Sequence, residues 1–339
     1  MPKFGPYIKN IDKKIESKIA NLGLVPDYKF DFEKNIGRFY TTPCKTKEDK
    51  KVIFKMRVED YPETKDFFEK EIKVNQLFAS FRGSEKDLPV PKFLDGDYKS
   101  TPEWIMYDFI DGSVAGNFYD GIYAKNIGNF PVDSFIGVIE KIHKMSILLA
   151  SGQNLITLEK RGHDAYLRDF NMYGARMKPF FKEREIDKVK GIFNSYENLL
   201  NRKTNTVTHG DLHPGNIILM KKGGVAVIDW FYVHLNNIAF DFAFLFTETD
   251  NERFRKKLLE KFVKKFVKDK SKDKKEFYSL FRLSILRIVP QKINILFDSF
   301  KNKEETMRSY RNNLSDIAFK KMNRNLKDFK DALYEINFF

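Results

Sequence analysis

Residues Thr206–Met220 read TVTHGDLHPGNIILM. Two histidines, an aspartate, an asparagine, two glycines and a proline stand between short β-branched runs, in a chain with five histidines in all. TVT and IILM read as strand flanks. A KKGG turn and a second apolar run, VAVID, follow. The loop therefore leads into a β-hairpin, Ile217 to Asp229. Such a hairpin carries Asp229 back beside Asn216. Pro214-Gly215 stiffens and sharpens the loop, so Asp211 and Asn216 face one point. Three oxygen-bearing side chains then converge without a cysteine. Hard oxygen donors suit Mg²⁺, which binds through one or two carboxylates plus substrate phosphates and keeps several waters.

The same residues admit a second reading. His209, Asp211 and His213 form H-x-D-x-H, which resembles a zinc or dinuclear motif. Such a site needs further ligands, and His143, His163 and His234 fall in no paired motif. Zinc also leaves the Asn216 and Asp229 spacings unexplained.

The 339 residues are 42% hydrophobic and 32% charged, the balance of a folded rather than a disordered chain. That length suits two lobes. The start, MPKFGPYIKNIDKK, lacks the apolar segment of a signal peptide. No apolar run reaches the about 18 residues that a spanning helix needs. The single Cys44 excludes an internal disulfide and a cysteine-rich metal site. Together these predict a cytoplasmic protein. The net charge is +14, and Asn251 to Phe339 holds 24 Lys and Arg against 12 Asp and Glu. An excess so placed reads as a solvated helical surface, or as a match for an anionic substrate, a nucleic acid or an acidic membrane.

The first part of the chain, to about Asp111, reads as α+β. Strands are expected at Tyr28–Lys34, across a turn at Asn35-Ile36-Gly37 into GRFYTTP, at Lys50–Val58 and at Glu103–Ile110. Phe67, Phe68, Ile72, Val74, Leu77, Phe78 and Phe81 recur near helical spacing. LPVPKFLDGDY reads as a connector, and Asp111-Gly112 as a turn. Beyond it the pattern is helical, interrupted by the hairpin. Phe254, Leu258, Leu259, Phe262, Val263, Phe266 and Val267 form one apolar face of a basic helix, which is expected to pack on its own domain rather than on a membrane.

HGDLHPGN followed by VIDW closely resembles the catalytic loop and metal-binding aspartate of the aminoglycoside phosphotransferase and choline kinase superfamily, small-molecule kinases of protein-kinase-like fold. The D-x-x-x-x-N spacing is also that of the protein-kinase catalytic loop. The resemblance implies a nucleotide-binding lobe over residues 1–111. It implies a larger, mainly helical catalytic and substrate-binding lobe over 112–339. It makes Asp211 the catalytic base, and it makes Asn216 and Asp229 the holders of Mg²⁺ on the nucleotide. His209 would brace the loop within itself, and His213 would brace it or touch phosphate. In NNIAFDFAFLF, Asp241 would tie the loop to the next helix. The residue-level alternative for Asp241, compatible with that role, is an N-cap.

A fold of this kind needs a phosphate-binding lysine, a partner glutamate and a hinge. Lys55 in VIFKMR fits the first, between apolar neighbours. Glu71 in FEKEIKVNQLF fits the second, with Glu69 as fallback on another face. NIGRF, with Gly37 alone where protein kinases have three glycines, would cover the phosphates through backbone N–H groups. WIMYDFIDG resembles the hinge strand. Asp108 and Ile110 would read the purine edge through main-chain groups, and Tyr107 falls at the gatekeeper position. ATP is the expected donor, and an aromatic gatekeeper leaves GTP open.

The acceptor is a small hydroxylated molecule. A basic C-terminal region disfavours polycationic aminoglycosides and suits an acceptor with a carboxylate or phosphate. Arg287 in LRIVPQKIN is the expected anion-binding residue. Two other functions are weighed. A regulatory protein kinase is disfavoured because IDWFYVHLNN lacks the D-F-G and A-P-E signatures. A non-catalytic kinase-fold protein binding nucleic acid through its basic region is disfavoured because every expected catalytic residue is present.

Overall fold

The computed structural model describes residues 6–31, 37–81, 90–150, 158–268, 270–298 and 316–336. Its N-terminal part is built on period-two alternation in KVIFKMR. Strand β2 (Phe39–Lys45) pairs antiparallel with β3 (Lys51–Arg57) along its whole length, Phe39 facing Arg57 and Lys45 facing Lys51. Val52, Phe54 and Met56 are fully buried on one face, under Ile11, Ile15 and Ile19 of helix α1 (Ile11–Asn21). Ile53 and Lys55 point to the other face, where Phe68 and Ile72 of helix α2 (Pro62–Phe81) pack. The five-stranded sheet runs β1-β2-β3-β5-β4, with β1 at Val25–Pro26, β4 at Phe93–Asp97 and β5 at Trp104–Asp108.

Two expectations fail here. Tyr28 to Asp31 lies in no strand, and residues 32–34 lie outside the described residues. The alternating rings of Tyr28 and Phe30 instead lie edge-on to Tyr40, at 6.1 and 5.6 Å, as a cover over β2. Helix α1 and β1 take the outer position. The proline-rich connector also holds a strand, β4, which pairs with β5 through an irregularity between Phe93 and Asp95.

After β5 the chain crosses directly into the second sheet. Strand β6 (Gly112–Val114) pairs with β10 (Ile217–Met220), which pairs with β11 (Val225–Val227). The expected hairpin is therefore present, and its neighbour is the segment that leaves the first lobe. The short strands β7 (Gly116–Asn117) and β8 (Gly121–Ile122) follow. Then come helices α3 (Ala124–Ile127), α4 (Val132–Ala150), α5 (His163–Tyr173), α6 (Glu183–Ser195) and α7 (Glu197–Lys203). Strand β9 (Thr206–Thr208) pairs with β12 (His234–Asn236). Helix α8 (Phe240–Phe246) is buried on all sides. Around it lie α9 (Glu252–Phe266), α10 (Ser271–Asp298) and α11 (Asp316–Glu335).

The basic helix α9 packs inward. Phe254, Leu258 and Phe262 are buried, and the Phe262 ring sits 4.4 Å from Phe242. Among the described residues no helix is long and apolar enough to cross a membrane.

Candidate active site

The loop leaves β9 at Thr208 and is held from below. Asp241, in the first turn of α8, accepts the backbone N–H of His209 at 2.7 Å and of Gly210 at 3.0 Å. The helix cap is Ala239, so the cap alternative for Asp241 does not hold; its carboxylate serves the loop. Burial pushes Asp241 up to about 7, against the pull of those two amides. Gly210 has φ 84°, and a Cβ there would lie 2.4 Å from the Tyr232 carbonyl. A side chain would clash as well as strain the backbone.

Burial lowers His209 to about 4, so its ring is neutral. One ring nitrogen, Nε2, meets the Ile228 carbonyl at 2.8 Å and must donate. That leaves Nδ1 to accept the Asp211 N–H at 3.3 Å. The ring thus ties the loop to the end of the hairpin and fixes the Asp211 backbone. His213 Nδ1 accepts the Gly215 N–H at 3.0 Å, so its Nε2 carries the proton, 3.8 Å from the Asp211 carboxylate. The two imidazoles are spent on different backbone groups and do not converge on a metal. The H-x-D-x-H reading falls on that geometry.

Asn216 donates from Nδ2 to the Asp211 carbonyl at 2.9 Å, which turns its amide oxygen the other way. The Ile228 N–H meets the Asn216 carbonyl at 3.0 Å, so Asp229 is the next residue past Asn216 across the hairpin. Asp229 has φ 63°, a left-handed turn that aspartate tolerates better than bulkier residues.

The turn aims Asp229 at the first lobe. Lys55 Nζ lies 2.9 Å from Asp229 Oδ1 and 2.8 Å from Glu71 Oε2. Burial opposes the Lys55 charge, but Asp229 and Glu71 outweigh it and hold the ammonium above its ordinary pKa. Burial likewise raises Glu71, while Lys55 outweighs burial at Asp229 and lowers it. The fallback, Glu69, turns away and pairs with Lys73. The Phe39 and Phe231 rings lie 4.7 and 5.6 Å from the ammonium, close enough for cation–π attraction.

A cavity opens beside this pair between the lobes. Lys55, Tyr107, Ile110 and Asp229 line it, with Ile53 above and Ile218 and Ile228 below. The Asp108 N–H is committed to the Lys92 carbonyl at 2.9 Å, so the main chain of this residue can offer only its carbonyl to a ligand. Tyr107 is buried, and its hydroxyl donates to Glu71 Oε1 at 2.7 Å. Gly37 is half-buried before β2, while Asn35 and Ile36 lie outside the described residues.

Arg287 does not stand in the cleft as a free cation. It is buried on α10, where its Nε meets Asp169 at 2.9 Å and its guanidinium lies 4.8 Å from the Phe240 ring. A buried arginine requires such a partner, and the pairing uses up its charge. The same segment instead brings Lys292 toward Asp211. Lys292 donates to the Phe244 carbonyl at 3.0 Å, to Thr247 at 2.7 Å, and to Glu248. Glu248 also meets Lys321 at 2.9 Å, and Lys321 donates to the Phe118 carbonyl. All three ionised groups are buried, and both Glu248 and Lys292 act on Asp211. Sequence reasoning missed this group. Its signal was thin: one glutamate after an apolar helix and two lysines far downstream.

The fold is that of a macrolide 2′-phosphotransferase from Brachybacterium faecium (15% identity, 81% of this chain and 90% of the other, TM-score 0.52). It is also that of a choline kinase from Streptococcus pneumoniae (15%, 95% and 100%, TM-score 0.54). A third similar structure is the GDP complex of an aminoglycoside 2′-phosphotransferase (13%, 96% and 99%, TM-score 0.54). No curated protein sequence matches the chain. A family model described as the phosphotransferase enzyme family matches residues 45–276, which run from the end of β2 into α10 and include Lys55, Glu71, Asp211, Asn216 and Asp229. The chain belongs to that phosphotransferase family.

Proposed function

We propose that this protein transfers the γ-phosphate of a nucleoside triphosphate to a hydroxyl of a small molecule. The observation that carries the reading is the Lys55 ammonium held between Glu71 and Asp229, one on each lobe. A lysine so fixed is suited to hold nucleotide phosphates, and the apolar walls of the adjoining cavity are suited to a purine. Residues 1–111 form the nucleotide-binding lobe and 112–339 the catalytic lobe. The Asp108 carbonyl and the Ile110 main chain read the base, and the backbone around Gly37 covers the phosphates. ATP is the expected donor, with GTP as the alternative; a similar choline kinase was solved with AMP and a similar aminoglycoside kinase with GDP.

The donor set fits magnesium. The Asn216 amide oxygen and the Asp229 carboxylate are hard ligands of the number Mg²⁺ takes alongside phosphates. Bound there, Mg²⁺ supplies neutralisation of charge on the transferring phosphoryl group. Asp211 orients the acceptor hydroxyl and takes its proton. Burial raises the Asp211 pKa despite His213, which favours that acceptance. His209 and Asp241 position it without touching substrate.

The buried group of Lys292, Lys321 and Glu248 beside Asp211 carries one net positive charge. It disfavours a polycationic acceptor and suits a neutral or anionic one. Kanamycin is bound, together with GDP, in a similar structure of another protein. We place the protein in the cytoplasm on its single cysteine.

The test is a nucleotide-consumption screen over a library of hydroxyl compounds, with Asp211→Ala as the blank. Turnover of one compound class that the substitution abolishes supports the reading. Turnover that survives it, or none with either nucleotide across the library, overturns it.

A further inference from the structure

His213 spends one ring nitrogen on its own loop and keeps the other. Its Nδ1 accepts the Gly215 N–H at 3.0 Å, so the single ring proton stands on Nε2. The ring is held in place. A Cβ at Gly215 would lie 2.8 Å from His213 Cε1, so any side chain there would push the ring away. The Phe118 ring stands edge-on to His213 at 5.7 Å, and Lys321 donates to the Phe118 carbonyl.

The Nε2 nitrogen stands beside the Asp211 carboxylate without reaching it. It lies 3.8 Å from Asp211 Oδ2. That is beyond the about 3.2 Å limit of an ordinary N–H···O hydrogen bond. Each of the two side chains keeps 19% of its surface exposed, so a small molecule can enter between them. A single oxygen at about 2.8 Å from each atom spans the gap. It must accept from Nε2–H and donate to the carboxylate. An alcohol or water oxygen does both and keeps one lone pair. A protonated amine has no lone pair to offer.

We propose that His213 is a second catalytic residue, whose Nε2–H holds the attacking hydroxyl oxygen against Asp211; the assignment rests on the phosphotransfer reading above. The oxygen donates its proton to Asp211, accepts from His213 and turns its remaining lone pair to the γ-phosphorus. That pair forms the new P–O bond. The bond from the γ-phosphorus to the β,γ-bridging oxygen breaks, its electrons leave with the nucleoside diphosphate, and the hydroxyl proton passes to Asp211. A hydrogen bond to the attacking oxygen tempers its nucleophilicity. The transition state of phosphoryl transfer is loose and asks little push, so the aim of the oxygen counts for more. The same clamp favours alcohols over amines as acceptors.

Water fits the same gap, so the test needs no identified acceptor. The full chain is given Mg²⁺ with ATP or GTP, and release of phosphate to water is measured with Asp211→Ala as the blank. Two substitutions separate the ring nitrogens. In His213→Asn the amide oxygen replaces Nδ1 and keeps the Gly215 bond, while nothing replaces Nε2. In His213→Gln the amide nitrogen replaces Nε2, and the Gly215 bond is lost. His213→Asn should lower kcat about 10²-fold, with nucleotide affinity by calorimetry within about twofold of the parent. His213→Gln should stay within about tenfold of the parent rate although it melts at a lower temperature. A residue that only braces the loop gives the reverse order of rates. The proposal is overturned if His213→Asn stays within about threefold of the parent, or if His213→Gln is as slow as His213→Asn. It is also overturned if the parent binds nucleotide yet releases no Asp211-dependent phosphate. A parent that binds neither nucleotide would instead refute the phosphotransfer reading, and the clamp with it.

Discussion

Lys55→Met tests the pair that joins the lobes without needing a substrate. Glu71 keeps 1% and Lys55 4% of its side chain exposed, so water cannot replace the lost partner. Breaking a buried ion pair from one side costs about 3–5 kcal/mol, because the other charge stays buried. Asp229 keeps 38% exposure and is screened by solvent, so it adds little. At ~2 cal/mol/K per residue, the unfolding entropy of this chain turns that loss into a fall in Tm of about 4–7 °C. The loss must depend on pH. The Glu71 pKa already lies above its ordinary value, with burial as the main cause, and the Lys55 ammonium is what chiefly opposes that rise. Without Lys55 it rises further. A carboxyl raised on folding contributes stability that is present below its unfolded pKa of about 4.3 and lost as pH rises through the folded value. The variant should therefore lie nearest the parent around pH 4–5 and fall away toward neutrality. The double variant Lys55→Met, Glu71→Gln removes both charges and keeps a partner for the Tyr107 hydroxyl, so it should recover more than half of the loss. The assay is thermal melting of the three proteins across that pH range, without nucleotide. A Lys55→Met loss independent of pH, or a double variant no more stable than the single, would refute the argument.

Other outcomes follow from the same geometry. Asp211→Asn should lower kcat about 10²–10⁴-fold with nucleotide affinity unchanged, as read by turnover and direct binding; a comparable fall in affinity would contradict its assignment as base. Tyr107→Phe removes one donor from Glu71 and should cost about 1 kcal/mol in denaturant unfolding, and comparing ATP with GTP turnover in both proteins shows whether the hydroxyl also selects the base. Asp241→Ala leaves two backbone amides of the loop without their acceptor, at about 1–3 kcal/mol each, and should reduce kcat more than nucleotide KM. Gly210→Ala should cost about 1–3 kcal/mol from its left-handed backbone alone, and a stable, fully active variant would show that the Tyr232 carbonyl yields.

Much of this site is local and so was legible along the chain. The hairpin from Ile217 to Asp229 follows from two β-branched runs around KKGG, and hairpin register alone returns Asp229 to Asn216. The side on which Lys55 stands follows from strand alternation, because Val52, Phe54 and Met56 claim the opposite face. Glu71 over Glu69 follows from helical spacing against Phe68 and Ile72. Where the pattern is weaker, tertiary contacts decided. Tyr28 and Phe30 alternate like a strand but cover Tyr40 with their rings. A proline-rich stretch became β4 because β5 offered it an edge. The charge of an isolated residue was the least legible quantity. Arg287 read as a free cation and is silenced by Asp169, 118 positions away in sequence. Lys292 and Lys321 were singled out by no pattern in the sequence, and they meet on Glu248. Periodicity reports which face of an element is apolar. Which charges are cancelled depends on partners brought from distant segments, and only the packed structure supplies those.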